Sequence, residues 1–369
     1  TYSFIMAATG DRVPCVFVEN GQVVNLDPKD PIEVSYLKPF PNDPDLKLPA
    51  ERAKLKLDWS MGHNNALVNG VGRIGWMRGG KSALWNDETL GETFTDKACA
   101  FIAQNKDKPF FLYYAAHENH VPRVPNPIHR GKTPLGPRGD AVVAFDDHVQ
   151  KILAELEKHG LTQNTLVILS SDNGPVLDDG YRDQALALNK KAGHLPAGPY
   201  RGGKYSIYEG GTRVSMIARW PGHTPVGAVS DEVVCQIDFA ASFTKLAGGD
   251  PSDFVKSDGV ENSGIFSGEK SRRDYVIEQS VNQVAIRMGN WKYIPVTNKK
   301  GQKAGRAGEL EEPEREREVV DGQMEQLYDL SKDVGERHNL ITENPEMADK
   351  LRKLLLAEKA KGVAQPLPR

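Results

Sequence analysis

Apolar residues recur at helical spacing twice in the middle of the chain, and each time a short continuous apolar run follows. Phe94, Ala98, Phe101 and Ile102 fall on one face of a helix beginning near Glu92. After Asp107-Lys108-Pro109 comes Phe110-Phe111-Leu112-Tyr113-Tyr114-Ala115, a run that reads as a buried strand. Val142, Phe145, Val149, Ile152, Leu153 and Leu156 then repeat at three and four, Gly160 stops the helix, and Thr165-Leu166-Val167-Ile168-Leu169 reads as a second buried strand. Helix alternating with strand predicts an α/β domain with parallel pairing. Met216-Ile217-Ala218 reads as a further core strand, and Ile237, Ala240, Ala241 and Leu246 as a helix closed by Gly248-Gly249.

The pattern differs at both ends. The first ninety residues are punctuated by Pro39, Pro41, Pro44 and Pro49 and read as loops and short strands. After about residue 271, Tyr275-Val276-Ile277, Val284 to Met288 and Trp291 to Ile294 are short strands with tight turns such as Gly289-Asn290, which predicts an antiparallel meander. Residues 297 to 322 are rich in charge and glycine and read as a solvated excursion. Asn344-Pro345 opens a last helix whose Met347, Leu351, Leu354 and Leu355 are expected to cover the meander.

Composition narrows the function classes. With 39% apolar and 26% charged residues, and 47 basic against 50 acidic side chains, the 369-residue chain is an ordinary globular protein. A net charge of -3 gives no electrostatic case for nucleic acid, and no apolar run approaches a membrane span. The three cysteines, Cys15, Cys99 and Cys235, are too scattered for a disulfide framework or a metal cluster.

Chemistry concentrates at predicted strand ends, the edge where open α/β sheets bind ligands. Ser171-Asp172-Asn173-Gly174 follows the second core strand and sets a carboxylate beside a carboxamide, a pair suited to a hard divalent cation. Taken alone, it reads first as an Asx-turn loop. Arg201-Gly202-Gly203-Lys204 and Tyr208-Glu209-Gly210-Gly211-Thr212-Arg213-Val214 pack glycines around a lysine, a compact positive charge for an anionic group. His117-Glu118-Asn119-His120-Val121-Pro122 ends the earlier strand. Its histidines lack zincin spacing, and Pro122 forbids a helix there, so a proton donor, an anion contact or a hydrogen-bonded loop histidine remain.

Together these segments resemble the formylglycine-dependent sulfatase family of the alkaline phosphatase superfamily, in the same chain order. Asn119-His120-Val121-Pro122 stands for the family's Pro-His-x-Pro element with Asn in the first place, and Ser-Asp-Asn-Gly is intact at 171 to 174. Arg201 to Lys204, Tyr208 to Val214, Trp220-Pro221-Gly222, Gly289-Asn290-Trp291-Lys292-Tyr293 and Leu327-Tyr328-Asp329-Leu330 also match, so the resemblance covers roughly residues 92 to 369.

The resemblance implies an alkaline-phosphatase-like α/β/α sandwich with a mostly parallel sheet over 1–270 and a small antiparallel sheet with a helix over 271–369. It implies Asp172 and Asn173 as calcium or magnesium ligands, Lys204 as a contact to the sulfate and bridging oxygen, and His120 as a sulfate contact and leaving-group acid. His117, His194 and Arg201 are the expected substrate-binding residues, and Arg123, His63 and Arg73 are further recognition candidates. A sulfated small molecule or glycan is the expected substrate, and a periplasmic or secreted location the expected setting.

The family's nucleophile is a formylglycine made from Cys or Ser in a Cys/Ser-x-Pro/Ala-x-Arg element, and none of the three cysteines stands in one. The adjacent acidic pair and the Gly-Lys-x-His element of the family are also absent. The expectation is therefore a fragment, inactive alone, whose sheet and nucleophile come from an amino-terminal segment. The alternatives are a phosphodiesterase or phosphonate hydrolase of the same superfamily, and a non-catalytic anion- or glycan-binding remnant.

Overall fold

Asn-Gly pairs organise the amino-terminal ninety residues. In the computed structural model, which describes residues 1–254, 258–280, 283–296 and 324–362, β1 (Phe4–Met6), β2 (Phe17–Glu19) and β3 (Gln22–Val23) form one antiparallel sheet. β4 (Glu33–Ser35) pairs with β7 (Trp76–Arg78), and β5 (Ala66–Val68) with β6 (Val71–Arg73). The β2–β3 and β5–β6 turns place Asn20 and Gly21 at φ 49° and 84°, and Asn69 and Gly70 at 56° and 82°. Two successive left-handed residues make the turn whose twist matches paired strands, which is why Asn-Gly occupies both.

Two compact units follow from the chain's contacts. The first comprises Thr1–Thr162 and Leu177–His194, the second Gln163–Val176 and Leu195–Arg369. In the first unit, Val13, Cys15, Ala66, Val68, Trp85 and Leu90 form a core. The predicted helices are present as α1 (Leu90–Asn105) and α2 (Gly136–Lys158), followed by α3 (Ala185–Ala192). The buried face of α2 is Ala141, Ala144, His148 and Leu156, whereas Val142 of the predicted stripe is 40% exposed. Small residues at 141 and 144 let α1 approach closely, so the interface rotates away from the bulky stripe.

The second unit carries β8 (Val167–Leu169), the short helix α4 (Glu209–Thr212), β9 (Ile217–Arg219) and α5 (Phe239–Leu246). The meander is present as β10 (Tyr275–Gln279), β11 (Val284–Met288), β12 (Trp291–Ile294) and β13 (Gln326–Asp329), in sequential antiparallel order. α6 (Pro345–Gly362) covers it, packing Ala348, Leu351 and Leu355 on Ile286, Tyr293 and Leu327. The charged stretch from 297 to 322 lies outside the described residues.

The pairing expected for the core strands is corrected by the structure. β8 pairs antiparallel with β9, and no strand is assigned over residues 110–115. Every ladder among the described residues is antiparallel, with parallel contact limited to the bridges Arg12–Ile74 and Leu57–Val71. A continuous apolar run reads as buried on both faces, yet here one face alone is covered. Phe110 packs on Phe101 of α1 at 5.8 Å between ring centroids, while Phe111 is 69% and Tyr113 81% exposed.

The meander is built around a buried charge. Lys292 is 0% exposed, and its Nζ lies 2.9 Å from Glu209 Oε1, 2.8 Å from Glu278 Oε2 and 3.3 Å from Glu336 Oε1. Arg287 adds a second cation 3.1 Å from Glu209. Burial opposes the charge on Lys292, but the three carboxylates outweigh it and raise its pKa. Removing the cation strands carboxylates away from water, so Lys292→Met should lower the unfolding free energy of this chain by about 3–5 kcal/mol in urea denaturation. A loss below about 1 kcal/mol would show that solvent screens the cluster. Burial also lifts Glu336 to about 7 from an ordinary 4.5. The folded chain thus binds a proton that the unfolded chain has released across that window, and stability should fall as pH rises through it. Glu336→Gln should remove that portion of the pH dependence, and an unchanged profile would contradict the assignment.

Candidate functional site

In the second unit, three glycine-bearing segments are laced together by their backbones. Gly174 N–H donates to Gly211 O at 3.0 Å, Lys204 N–H to Pro175 O at 2.8 Å, and Gly210 N–H to Arg201 O at 2.7 Å. A Cβ at Gly174 would strike the Gly210 carbonyl, and one at Gly210 the carbonyls of Arg201 and Gly202. Glycine at these places is a requirement of close packing. The Ser171–Gly174, Arg201–Lys204 and Tyr208–Thr212 elements therefore form one structural assembly.

Asp172 is exposed and Asn173 half-buried in the loop after β8. Asn173 Nδ2 donates to Gly174 O at 2.8 Å, which fixes the amide and leaves its oxygen as the opposite terminus. Gln236 Nε2 donates to Ser171 O at 2.6 Å and steadies the loop from outside. Two hard oxygen donors on adjacent residues suit a cation such as calcium. Among the described residues no three His, Cys, Asp or Glu side chains are grouped to hold a metal, so this pair could supply only part of a donor set. Lys204 is half-buried, with Nζ 5.1 Å from the centroid of the Tyr205 ring. Tyr205 has φ 79°, a left-handed conformation costing a non-glycine residue about 1–3 kcal/mol, of the kind that collects at ligand sites.

Arg201, expected to bind substrate, is a buried residue. It is 7% exposed, its guanidinium 3.8 Å from the Tyr208 ring centroid, and Nη1 donates to Glu336 O at 3.1 Å. The side chain anchors the loop within the fold. His194, in the first unit, is exposed just beyond α3, its N–H bonded to Asn189 O at 3.0 Å.

The loop 117–120 of the first unit is a turn closed by His120 N–H donating to His117 O at 2.9 Å. The ring centroids of His117 and His120 stand 6.5 Å apart. Burial, aided by the neighbouring His120, lowers the pKa of His117 to about 4, so its imidazole is neutral near pH 7. His120 Nδ1 lies 2.8 Å from Val121 O, and since a carbonyl oxygen only accepts, Nδ1 carries the proton of that bond. The loop also packs on Gly10, where a Cβ would strike the His117 ring.

The recognition candidates separate clearly. Arg73 is fully buried, bonded to Gly10 O and at 2.7 Å to Asp87. Arg123 is buried against Asp183 at 2.7 Å and Leu177 O at 3.2 Å. Both serve the fold. His63 is buried, with Nε2 3.2 Å from Asp11 Oδ2. Asp11 was not foreseen: burial opposes its charge, but bonds from His63 and Thr9 and the adjacent Arg12 hold its carboxyl well below the usual range. A cavity of about 30 Å³ lined in part by Glu92, His117, Glu118 and His148 was not foreseen either.

Comparison with known proteins agrees with the motif order. Residues 40–249 match the family model described as Sulfatase. The chain is 42% identical over 362 residues to the N-acetylgalactosamine-6-O-sulfatase of Bacteroides thetaiotaomicron, covering 98% of this chain and 68% of that protein. It is 31% identical over 267 residues to arylsulfatase A of Homo sapiens, covering 69% of this chain and 49% of that protein. A solved 6S-sulfatase structure, from work on the metabolism of multiple glycosaminoglycans by Bacteroides thetaiotaomicron, superposes with a TM-score of 0.89 at 42% identity, covering 98% of this chain and 72% of that one. The crystal structure of a sulfatase from Pseudoalteromonas sp. shares the fold, with a TM-score of 0.63 at 24% identity, covering 78% and 56% of the two chains. The fold is thus α/β with a small carboxy-terminal antiparallel sheet. The chain spans about two thirds of the bacterial curated relative and about half of the human one.

The neutrality of His117 is directly measurable. In a nitrogen-15 imidazole titration of this chain, His117 should stay neutral down to about pH 5 and protonate near 4. Because its pKa is depressed on folding, protonation in that range should also weaken the fold. A midpoint above 6 would show a solvated ring.

Proposed function

The chain belongs to the sulfatase family, and from that premise we propose that the whole protein containing it hydrolyses sulfate esters of a sulfated carbohydrate, with this chain supplying metal- and sulfate-binding groups. The observation that carries the reading is the backbone lacing of Ser171–Gly174 to Arg201–Lys204 and Tyr208–Thr212, because it gives the matched motifs a shared physical purpose. A sugar substrate sulfated at the 6-position is proposed from the name of the 42%-identical relative.

The chemistry assigned to this chain follows from side-chain type. Asp172 and Asn173 would hold calcium or magnesium, and a bound dication neutralises charge on the sulfuryl oxygens. The Lys204 ammonium would pair with a nonbridging oxygen and with the bridging oxygen as negative charge grows there during cleavage. His120, when its ring is protonated at Nε2 as well as Nδ1, would give the Nε2 proton to the departing alkoxide and be left as the neutral Nδ1–H imidazole. His117 and His194 would contact the substrate, His117 as a neutral imidazole. Arg201 would contact the substrate from the loop that carries Lys204.

No Cys/Ser-x-Pro/Ala-x-Arg element exists in these 369 residues, so no nucleophilic step is assigned to them. We propose that an amino-terminal segment of the same enzyme provides the formylglycine and covers the open Phe111 and Tyr113 face. A periplasmic or secreted setting belongs to the same proposal. Among the described residues no helix is long and apolar enough to cross a membrane.

The test uses the complete polypeptide and a saccharide carrying 6-sulfated N-acetylgalactosamine, with released sulfate measured by ion chromatography. Hydrolysis is expected, and Lys204→Ala should lower kcat by roughly a hundredfold or more if the ammonium stabilises transition-state charge. Turnover of phosphate diesters with sulfate esters untouched would favour the phosphodiesterase reading. An active complete enzyme indifferent to Lys204→Ala would remove that residue from the site.

A further inference from the structure

Glu118, between the two loop histidines, has a side chain only 6% exposed. A buried carboxylate needs a partner, and its Oε1 meets Nδ1 of His148 from α2. The His148 side chain is 1% exposed. The other ring nitrogen, Nε2, lies 3.7 Å from Glu92 Oε1 of α1, too far for a hydrogen bond but close for two charges. α1 closes over the pair: a Cβ on Gly91 would lie 2.5 Å from His148 Cε1 and 2.6 Å from Glu118 Oε1.

His129 completes the surroundings. Its ring is 5.9 Å from that of His148, its Nδ1 3.9 Å from Glu92 Oε1, and its Nε2 2.8 Å from Asp147 Oδ2. His148 Nε2, His129 Nδ1, Glu92 Oε1 and Glu118 Oε2 are all buried without a hydrogen-bond partner. The adjoining cavity of about 30 Å³ exceeds the roughly 10–15 Å³ that one water needs. These donors are not grouped to hold a metal among the described residues. Two carboxylates facing one imidazole instead favour the imidazolium. Burial works against that charge, but the bond to Glu118 and the nearby Glu92 carboxylate raise the pKa of His148 to about 9.

We propose that His148 is a positioning residue: as an imidazolium held between Glu118 and Glu92, it clamps the 117–120 turn to α2 and so fixes the rings of His117 and His120. The turn transmits this restraint because Glu118 lies inside the His120 N–H to His117 O bond. Near neutral pH, with the carboxylates ionised, the clamp is closed. As pH rises through about 9 the imidazolium is lost, and the restraint on the turn weakens to that of a neutral hydrogen bond.

The consequence for catalysis rests on the sulfatase reading, so two measurements separate the claims. In the 369-residue chain, imidazole NMR should show His148 titrating near 9. Glu118→Gln should lower that midpoint by about one unit or more and shift the His120 resonances at pH 7. In the complete enzyme, Glu118→Gln and His148→Gln should each lower kcat roughly tenfold with KM within about threefold, and the double variant should be no worse than the poorer single one. His148→Gln should also abolish a fall in kcat above pH 9. Glu118→Gln keeps the shape of the carboxylate and decides the matter even if His148→Gln does not fold. Unmoved His120 resonances, or kcat unchanged within about twofold in Glu118→Gln, would overturn the clamp. A complete wild-type enzyme that cleaves no sulfate ester would overturn the functional reading, while the NMR result would still decide the clamp.

Discussion

The second unit depends on one buried cation. Lys292 sits at the centre of the meander with Glu209, Glu278 and Glu336 around it, and each carboxylate comes from a different segment. Glu278 lies on β10, Glu209 starts α4, and Glu336 follows the turn after β13. A lysine in this place must be compensated on every side, which excludes alternative placements of those segments more strongly than apolar packing would. Glu209 N–H also donates to Glu336 Oε2 at 2.6 Å, so the first residue of α4 is held by backbone and side chain together. From α4 the restraint passes to Gly174 through Gly211 O and to the Arg201–Lys204 loop through Gly210 N–H. The groups proposed to meet metal and sulfate hang from a charge cluster that touches neither.

The first unit uses the same device on a smaller scale. Glu118 is buried in the loop that carries the histidines, and its partner arrives from a helix already fixed against α1. In both units a buried ion pair joins a loop with special chemistry to regular structure. Buried ion pairs contribute little net stability, but they are costly to break. They specify geometry, which a loop of short polar residues cannot do alone.

Sequence alone revealed the local features and missed the distant partners. The helices α1, α2, α5 and α6 and the meander were legible because apolar period and turn residues are written within each segment. The Ser171–Gly174 loop was legible because it follows an apolar run. The roles of Lys292 and Glu209 were hidden, since 83 positions separate them. His148 was hidden because it sits among apolar helix positions with no local partner. Arg73 and Arg123 looked like ligand contacts, but pairing with Asp87 and Asp183 turns them inward. The run Phe110–Ala115 looked buried on both faces because apolar content reports how many faces need cover, and the described residues cover one.

The central claim is that the loop after β8 presents Asp172 and Asn173 as neighbouring oxygen ligands of a hard dication, on an assembly that also carries Lys204. A crystal structure of the complete polypeptide grown with calcium tests it most directly. The account predicts a calcium ion with an Asp172 carboxylate oxygen and Asn173 Oδ1 both at about 2.3–2.6 Å, and with the Gly174, Gly210 and Lys204 backbone bonds intact. A calcium ion bound elsewhere, with Asp172 directed to solvent and Asn173 Oδ1 bonded within its own loop, would contradict it.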